Sequence, residues 1–266
     1  MERDATGMRL THVVTASDLN PRYLACWEPM ARAWQTIGGL EPILVLVARE
    51  EDIPAALRAD ARVRIFEPLP ELHTALQAQC IRLLYPALLD TDGGGVVTSD
   101  VDMVPLNRRY FHGIAGRVDE RHFLAFRDVL LEGMEIPICY NAALPSTWSD
   151  VFGVAGVEDV RARLREWARG IDYAGVRGKA GWDTDQQVLY RILVERARTK
   201  RDVWILDDRY SGYHRLLQHL IGVDGVQGVV RRGVARGHYS DFHLVHPYEA
   251  ERELNESIIE LAVGAV

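Results

Sequence analysis

Apolar and polar positions along the first hundred residues switch between two periods. Leu10-Thr-His-Val-Val-Thr15 has the pattern of a buried strand, and the polar loop Ala16-Ser-Asp-Leu-Asn20 follows it. Leu24, Trp27, Met30, Ala33 and Trp34 then recur at helical spacing, which predicts a helix over 22–36. Strand-like runs return at 42–48 and 62–66, helical spacing covers 72–89, and the next apolar strand ends at Asp100. Strands alternating with helices predict an α/β sheet that receives ligands at the carboxyl ends of its strands. Asp18 and Asp100 both fall just past such ends.

The second half is less regular. Residues 123–126 and 136–140 have strand character, 157–169 an amphipathic helical pattern, and 203–206 reads as a late strand. Trp182-Asp-Thr-Asp185 precedes a helix over 186–198, with Asp183 placed as its N-cap and Asp185 in its first turn. The glycine-rich stretch 222–237, with Arg231, Arg232 and Arg236, is expected to form loops, and 249–261 to form a closing helix. With no internal repeat and no linker, 1–266 is expected to be one compact domain.

Composition narrows the possibilities only slightly. A chain of 266 residues, 48% hydrophobic and 26% charged, can bury a full core without staples. A formal net charge of −7 argues against a dedicated nucleic-acid binder, although a local basic surface is compatible with it. Cys26, Cys80 and Cys139 are odd in number and widely spaced, as expected for reduced, buried thiols. No apolar run approaches the roughly 20 residues of a transmembrane helix. Residues 1–7 contain no signal-peptide core, so a cytoplasmic location is expected.

The chemistry concentrates in Gly94-Gly-Val-Val-Thr-Ser-Asp100-Val-Asp102-Met-Val-Pro105. In an extended chain residues two apart share a side, so Asp100 and Asp102 are expected to converge on one point. Two carboxylates at a strand end suit a cation of the Mg²⁺ or Mn²⁺ class, which commonly shares its shell with substrate phosphates.

Ser99-Asp-Val-Asp102 resembles the DxD motif of nucleotide-sugar glycosyltransferases with the GT-A fold, and other positions match the glycogenin- and galactosyltransferase-like members in order. Thr15-Ala-Ser-Asp18 resembles their nucleotide-base loop, which implies that Asp18 accepts a hydrogen bond from the base. Arg82, in Cys80-Ile-Arg-Leu-Leu-Tyr-Pro86, resembles the helix arginine that reaches donor phosphates or sugar. Tyr140-Asn-Ala-Ala143 is similar to their asparagine-containing strand, placing Asn141 near the donor sugar. Trp182-Asp-Thr-Asp-Gln186 resembles their Asp-Gln motif, which implicates Trp182, Asp183, Asp185 and Gln186 around the transferred sugar. Asp241-Phe-His243 stands where such enzymes carry a C-terminal histidine metal ligand. The usual glycine and lysine neighbours of that histidine are absent, and His238 and His246 are alternatives to it. Microbial and viral transferases share this pattern.

The resemblance implies a GT-A-like, Rossmann-like mixed sheet flanked by helices. It assigns nucleotide binding to about 8–110, donor sugar and acceptor to about 111–248, and a C-terminal helix to 249–266. It also implies Mn²⁺ or Mg²⁺ held by Asp100, Asp102 and His243, with Ser99 beside them. The expected donor is a nucleoside-diphosphate sugar, UDP-linked, and the acceptor is a sugar, lipid, protein or modified nucleic acid. Breaking the anomeric C–O bond leaves a diphosphate whose growing charge a bound metal, Arg82 and the arginines of 222–237 would offset. Asp183 or Asp185 can take the acceptor proton in an inverting displacement, or orient the sugar in the retaining reaction towards which the resemblance leans.

Other readings compete. Asp100-Val-Asp-Met-Val104 also satisfies the signature of haloacid-dehalogenase-like phosphatases, with Asp100 as nucleophile and Lys179, Asp207 and Asp208 following in order. That motif normally opens its domain, whereas a long α/β pattern precedes it here. A nucleotidyltransferase would need a glycine-rich phosphate loop, and Ala16-Ser-Asp-Leu-Asn20 has no glycine. The arginines between Arg231 and His238 could serve a non-catalytic binder, or a transferase acting on hydroxymethylated bases in DNA. Trp27 and Trp34 have core spacing; Trp148 and Trp182 are placed to stack on a sugar or base.

Overall fold

Apolar residues on both faces of the central strands require a layer of helices on each side, and the structure supplies them. In β2 (Glu41–Val47), Leu44 and Leu46 enter one core while Ile43, Val45 and Val47 enter the other. The computed structural model describes residues 7–129, 131–221 and 227–265. The other strands are β1 (Leu10–Ser17), β3 (Val63–Phe66), β4 (Gly95–Thr98), β5 (Met103–Pro105), β6 (Phe123–Ala125), β7 (Asn141–Ala143), β8 (Val203–Ile205), β9 (His214–Leu216) and β10 (Tyr239–His243). Seven of them form one sheet in the order β3-β2-β1-β4-β7-β6-β8, and β5, β10 and β9 form a second. The first four strands of the large sheet are parallel, β7 is antiparallel to both its neighbours, and β8 is parallel to β6.

The helices are α1 (Pro21–Leu24), α2 (Trp27–Ala33), α3 (Ala55–Ala59), α4 (Thr74–Ile81), α5 (Arg108–Ala115), α6 (Pro145–Phe152), α7 (Val157–Trp167), α8 (Thr184–Thr199), α9 (Gln218–Ile221), α10 (Gln227–Ala235) and α11 (Arg252–Val263). Residues of α2, α5, α10 and α11 fill one core, and residues of α4, α6, α7 and α8 fill the other. The expected α/β class, a mixed sheet flanked by helices, is thus observed. From β1 the chain builds outwards through β2 and β3, then returns to place β4 on the far side of β1. Such a reversal opens a crevice at the carboxyl ends of the two central strands. Asp18 follows β1 and Ser99–Asp102 follow β4, so both segments lie at that crevice.

Several local expectations are corrected. The helix over 22–36 is split, because Pro29 has no N–H to donate to the Ala25 carbonyl. Its last part is a π-helical turn, Trp34–Gly38, closed by Gly39 at φ +65°. The helix over 72–89 ends at Ile81 and yields to a 3₁₀ turn, Tyr85–Leu88, around Pro86. The strand expected at 136–140 begins only at Asn141. Pro137 cannot donate to a ladder, and the carbonyls of Pro137 and Ile138 are taken by the Asn141 and Thr98 side chains. The basic stretch 222–237 is helical over Gln227–Ala235 rather than looped. Residues 222–226 of that stretch, and residues 1–6 of the N-terminal segment considered for a signal sequence, lie outside the described residues. Among the described residues no helix is long and apolar enough to cross a membrane.

Trp148 is also corrected: it lies on α6, fully buried, where Nε1 donates to the Val96 carbonyl at 3.3 Å and the ring meets Phe123 and Phe152. Trp148→Ala is therefore expected to destabilise the fold by about 3–5 kcal/mol, measured by urea unfolding, through loss of core packing.

Candidate active site

The segment that carries the two aspartates is not extended. β4 stops at Thr98, and residues 99–102 form a turn in which Met103 N donates to the Asp100 carbonyl at 3.2 Å. Asp100 and Asp102 consequently meet different partners, and the convergence expected from a period of two does not occur. Ser99 is buried inside the turn, its hydroxyl donating to the Asp100 carbonyl at 3.0 Å.

Asp102 belongs to a cluster with two histidines. The Nε2 atoms of His243 and His246 each lie 2.9 Å from its Oδ2. β10 causes this meeting: it pairs antiparallel with β5, setting His243 opposite Met103, and Leu244 N donates to the Asp102 carbonyl at 2.8 Å. His246 is positioned from α11, where buried Asn255 accepts from Val245 N at 2.8 Å and donates to the Val245 carbonyl at 3.0 Å. The Tyr23 ring stands edge-on to His246, centroids 5.7 Å apart.

Burial by itself would raise the Asp102 pKa, but the hydrogen bonds from the two histidines outweigh it and hold the carboxylate far below its ordinary range. Burial lowers the His243 pKa, and the bond to Asp102 more than reverses that, for a net rise. Among the described residues, Asp102, His243 and His246 form the one group of three with metal-ligand atoms close together, all within 4.8 Å. One carboxylate and two imidazoles fit a divalent ion, and nitrogen donors suit Mn²⁺ and the later transition ions better than Mg²⁺. In the present geometry the imidazole N–H groups occupy the carboxylate oxygen, so a bound ion would displace those protons.

A second cluster is built around Arg82, at the C-cap of α4. Its guanidinium pairs with Asp100 and, at 3.0 Å, with Asp185, while Nε donates to the Gln79 carbonyl. The cation expected at the donor phosphates is therefore held between two carboxylates of the protein. Asp185 lies in the first turn of α8, is 3% exposed, and accepts from Gln186 N at 2.9 Å. Its pKa is raised to about 6, chiefly by burial, with the Arg82 charge opposing and the Asp100 charge adding to the rise.

The remaining candidates surround these clusters. Asp18 accepts from Asn20 N at 3.1 Å and from the Thr74 hydroxyl at 2.8 Å, tying the end of β1 to the start of α4. Asn141 opens β7 opposite Thr98, and its buried Oδ1 has no hydrogen-bond partner among the described residues. Asp183 stands at the N-cap of α8, without a side-chain cap bond, and accepts from Gln186 Nε2 at 3.1 Å; Trp182 beside it is half-buried. Asp18, Trp182, Asp183 and Gln186 form no hydrogen bond to Asp102, its two histidines, Asp100 or Arg82 among the described residues. Of the groups joined in the phosphatase reading, Asp207 is held by Arg209 and Asp208 by Arg127, while Lys179 is exposed.

The sequence offered His246 only as an alternative to His243, and it gave no expectation for Asn255 or Tyr23 at the site. The spacing His243-Leu-Val-His246 was a usable signal for the first. Nothing local marks Asn255, whose role depends on where α11 packs.

No protein-family model matches this chain, and no curated protein sequence matches it. Among solved structures it is similar to the glycosyltransferase GlyE of Streptococcus pneumoniae TIGR4, with 15% identity over 96% of this chain and 60% of that one and a TM-score of 0.49. It is likewise similar to a galactosyltransferase, LgtC, in complex with donor and acceptor sugar analogs (14% identity, 96% of each chain, TM-score 0.47). A third similar structure is mouse xyloside xylosyltransferase 1 (10% identity, 88% of this chain and 97% of that one, TM-score 0.40). The chain thus spans about 60% of the length of GlyE.

The raised pKa of Asp185 has a measurable consequence. Between the ordinary value of 3.8 and about 6, the folded chain keeps a proton that the unfolded chain has released. The stabilising contribution of this group is complete below 3.8 and is lost as pH rises through about 6. Wild-type stability relative to Asp185→Asn, from urea midpoints, is expected to fall from about pH 4 to about pH 6 and to level off above.

Proposed function

We propose that this chain is a metal-dependent glycosyltransferase of the GT-A type, moving a sugar from a nucleoside-diphosphate sugar to an acceptor. The observation that carries this reading is the Asp102–His243–His246 cluster, seated at the carboxyl end of β4 where the strand order reverses. A divalent ion, Mn²⁺ in preference to Mg²⁺, would be held there by those three side chains. When bound, it supplies Lewis-acid stabilisation of the diphosphate leaving group.

The chain's own residues then divide the remaining work. Asp18, at the end of β1, receives the base, with a UDP-sugar as the donor. Asn141 offers its unpartnered buried Oδ1 to a sugar hydroxyl. Trp182, Asp183 and Gln186 line the start of α8, next to Asp185. Arg82 fixes Asp185 and Asp100 relative to each other instead of meeting the phosphates. An aspartate this buried and already paired with a guanidinium is better suited to orienting the sugar than to receiving the acceptor proton, which favours retention. On this reading 8–110 supply the nucleotide half, and 111–248 supply the sugar and acceptor half together with the C-terminal metal ligands.

The test is calorimetric binding of UDP and GDP with Mn²⁺ and again with EDTA. One of the two is expected to bind only with the metal. Losing an outer-sphere partner of a metal site commonly costs about 10–100-fold in affinity, so Asp102→Asn, which removes a ligand's charge, and His246→Ala, which removes a ligand, are expected to cost on the order of 100-fold or more. Circular dichroism melts serve as the check that the variants are folded. Undiminished metal-dependent binding by folded Asp102→Asn would exclude the proposed site.

In turnover of the bound sugar nucleotide, Asp185→Asn is expected to lower kcat by at least about tenfold while changing donor affinity much less. A change confined to donor affinity would instead make Asp185 a ground-state binding group.

A further inference from the structure

A fixed cation beside a metal adds stabilisation to a diphosphate leaving group, and Arg82 is occupied by two carboxylates. The small sheet provides another. β9 runs parallel to β10, with Arg215 in register with Asp241 and Leu216 with Phe242. Side chains alternate along strands, so Leu216 and Phe242 enter the core together while Arg215, Asp241 and His243 share the opposite face. Arg215 therefore projects from the same sheet face as a proposed metal ligand.

The guanidinium is held in place. Its Nε donates to Asp241 Oδ2 at 2.8 Å and its Nη2 lies 3.3 Å from Cys139 Sγ, whereas Nη1 makes no hydrogen bond among the described residues. Asp241 is fully buried and is shared with Arg127, which pairs in addition with Asp208 at 3.0 Å. The two arginines of this network differ in access: the Arg127 side chain is 4% exposed and that of Arg215 is 29% exposed. Only the second can meet a ligand with a free edge. The surroundings of Cys139 agree with this placement. Burial first, and the Asp100 charge next, push its thiol up to about 12, and Arg215 opposes them, so Asp100 and Arg215 act on the same thiol.

We propose that Arg215 is the anchored cation that binds the diphosphate of the donor, with Asp241 aiming its planar fork. The inference rests on the proposed function above and adds a phosphate ligand to it. An arginine suits the role because its fork can serve Asp241 with one edge and phosphate oxygens with another.

The test uses the full chain, Mn²⁺ and inorganic pyrophosphate, which carries the leaving-group chemistry without a base. Wild type is expected to bind pyrophosphate only with Mn²⁺. Arg215→Gln is expected to weaken that binding at least about tenfold, as loss of a charged hydrogen bond does, while affinity for Mn²⁺ alone changes less than about threefold. Because Arg215→Gln leaves buried Asp241 short of a partner, a second comparison guards against misfolding. Arg215→Met combined with Asp241→Asn is expected to bind pyrophosphate at least about tenfold more weakly than Asp241→Asn alone. Equal affinities within about twofold in either comparison would overturn the role of Arg215 and make its network purely structural. Wild type that binds neither pyrophosphate nor a nucleoside diphosphate with Mn²⁺ would remove the proposed function itself, a distinguishable result.

Discussion

A carboxylate removed from water must be compensated, and at Asp102 the compensation comes from far along the chain. His243 and His246 stand 141 and 144 residues away in sequence and converge on one of its oxygens. This meeting requires β5 and β10 to pair in a single register, with Asn255 of α11 fixing the loop that follows. The β4–β5 turn, the second sheet and the closing helix are thus tied to one buried oxygen atom. A shift of β10 by one residue would turn His243 towards the core and Phe242 towards the crevice.

Arg82 performs the complementary task on the other side of the same turn. It draws Asp100 towards α4 and Asp185, so two carboxylates separated by one residue do not compete for the same space. The turn therefore feeds two charge clusters, one of acid and imidazole and one of acid and guanidinium. Asp241, two residues before His243, anchors a third between Arg127 and Arg215. Each cluster pairs most of its charge internally, which makes burial tolerable. Two groups stay short of partners among the described residues: the buried Asn141 Oδ1 and the Nη1 of the partly exposed Arg215. Such preorganised groups do not have to reorganise when charge develops on a ligand.

Much of the large sheet was legible from periodicity. β1, β2, β4 and the start of α8 are long or strongly patterned, and each is delimited by local signals such as Pro21 or the Asp183 cap. The misreadings have local causes as well. Pro29 removes one donor and breaks a helix whose apolar spacing continues undisturbed across the break. Asn141 and Thr98 satisfy carbonyls at 137–138 that a strand would otherwise have offered to a neighbour. The basic stretch appeared loop-like from its glycines, yet Val230, Gly233 and Val234 bury one face of α10. In the last two cases tertiary partners outweighed a weak local preference.

The residue types needed for a site were also present in the sequence: the aspartate pair, the histidines near the C-terminus, Arg82, Asn141 and the Asp183–Asp185 segment. What the sequence by itself determined was this inventory and the order of elements that carry it, because backbone periodicity, caps and breakers act within a few residues. Only the tertiary structure decided the partners. It bent the Asp100–Asp102 segment into a turn, gave Asp102 to two histidines, closed Arg82 between two acids, and set Asn255 on the loop before His246 and Arg215 against Asp241. The physical reason is that a charge buried at low dielectric takes its partner from whatever shares its space, and strand register and helix packing set that space.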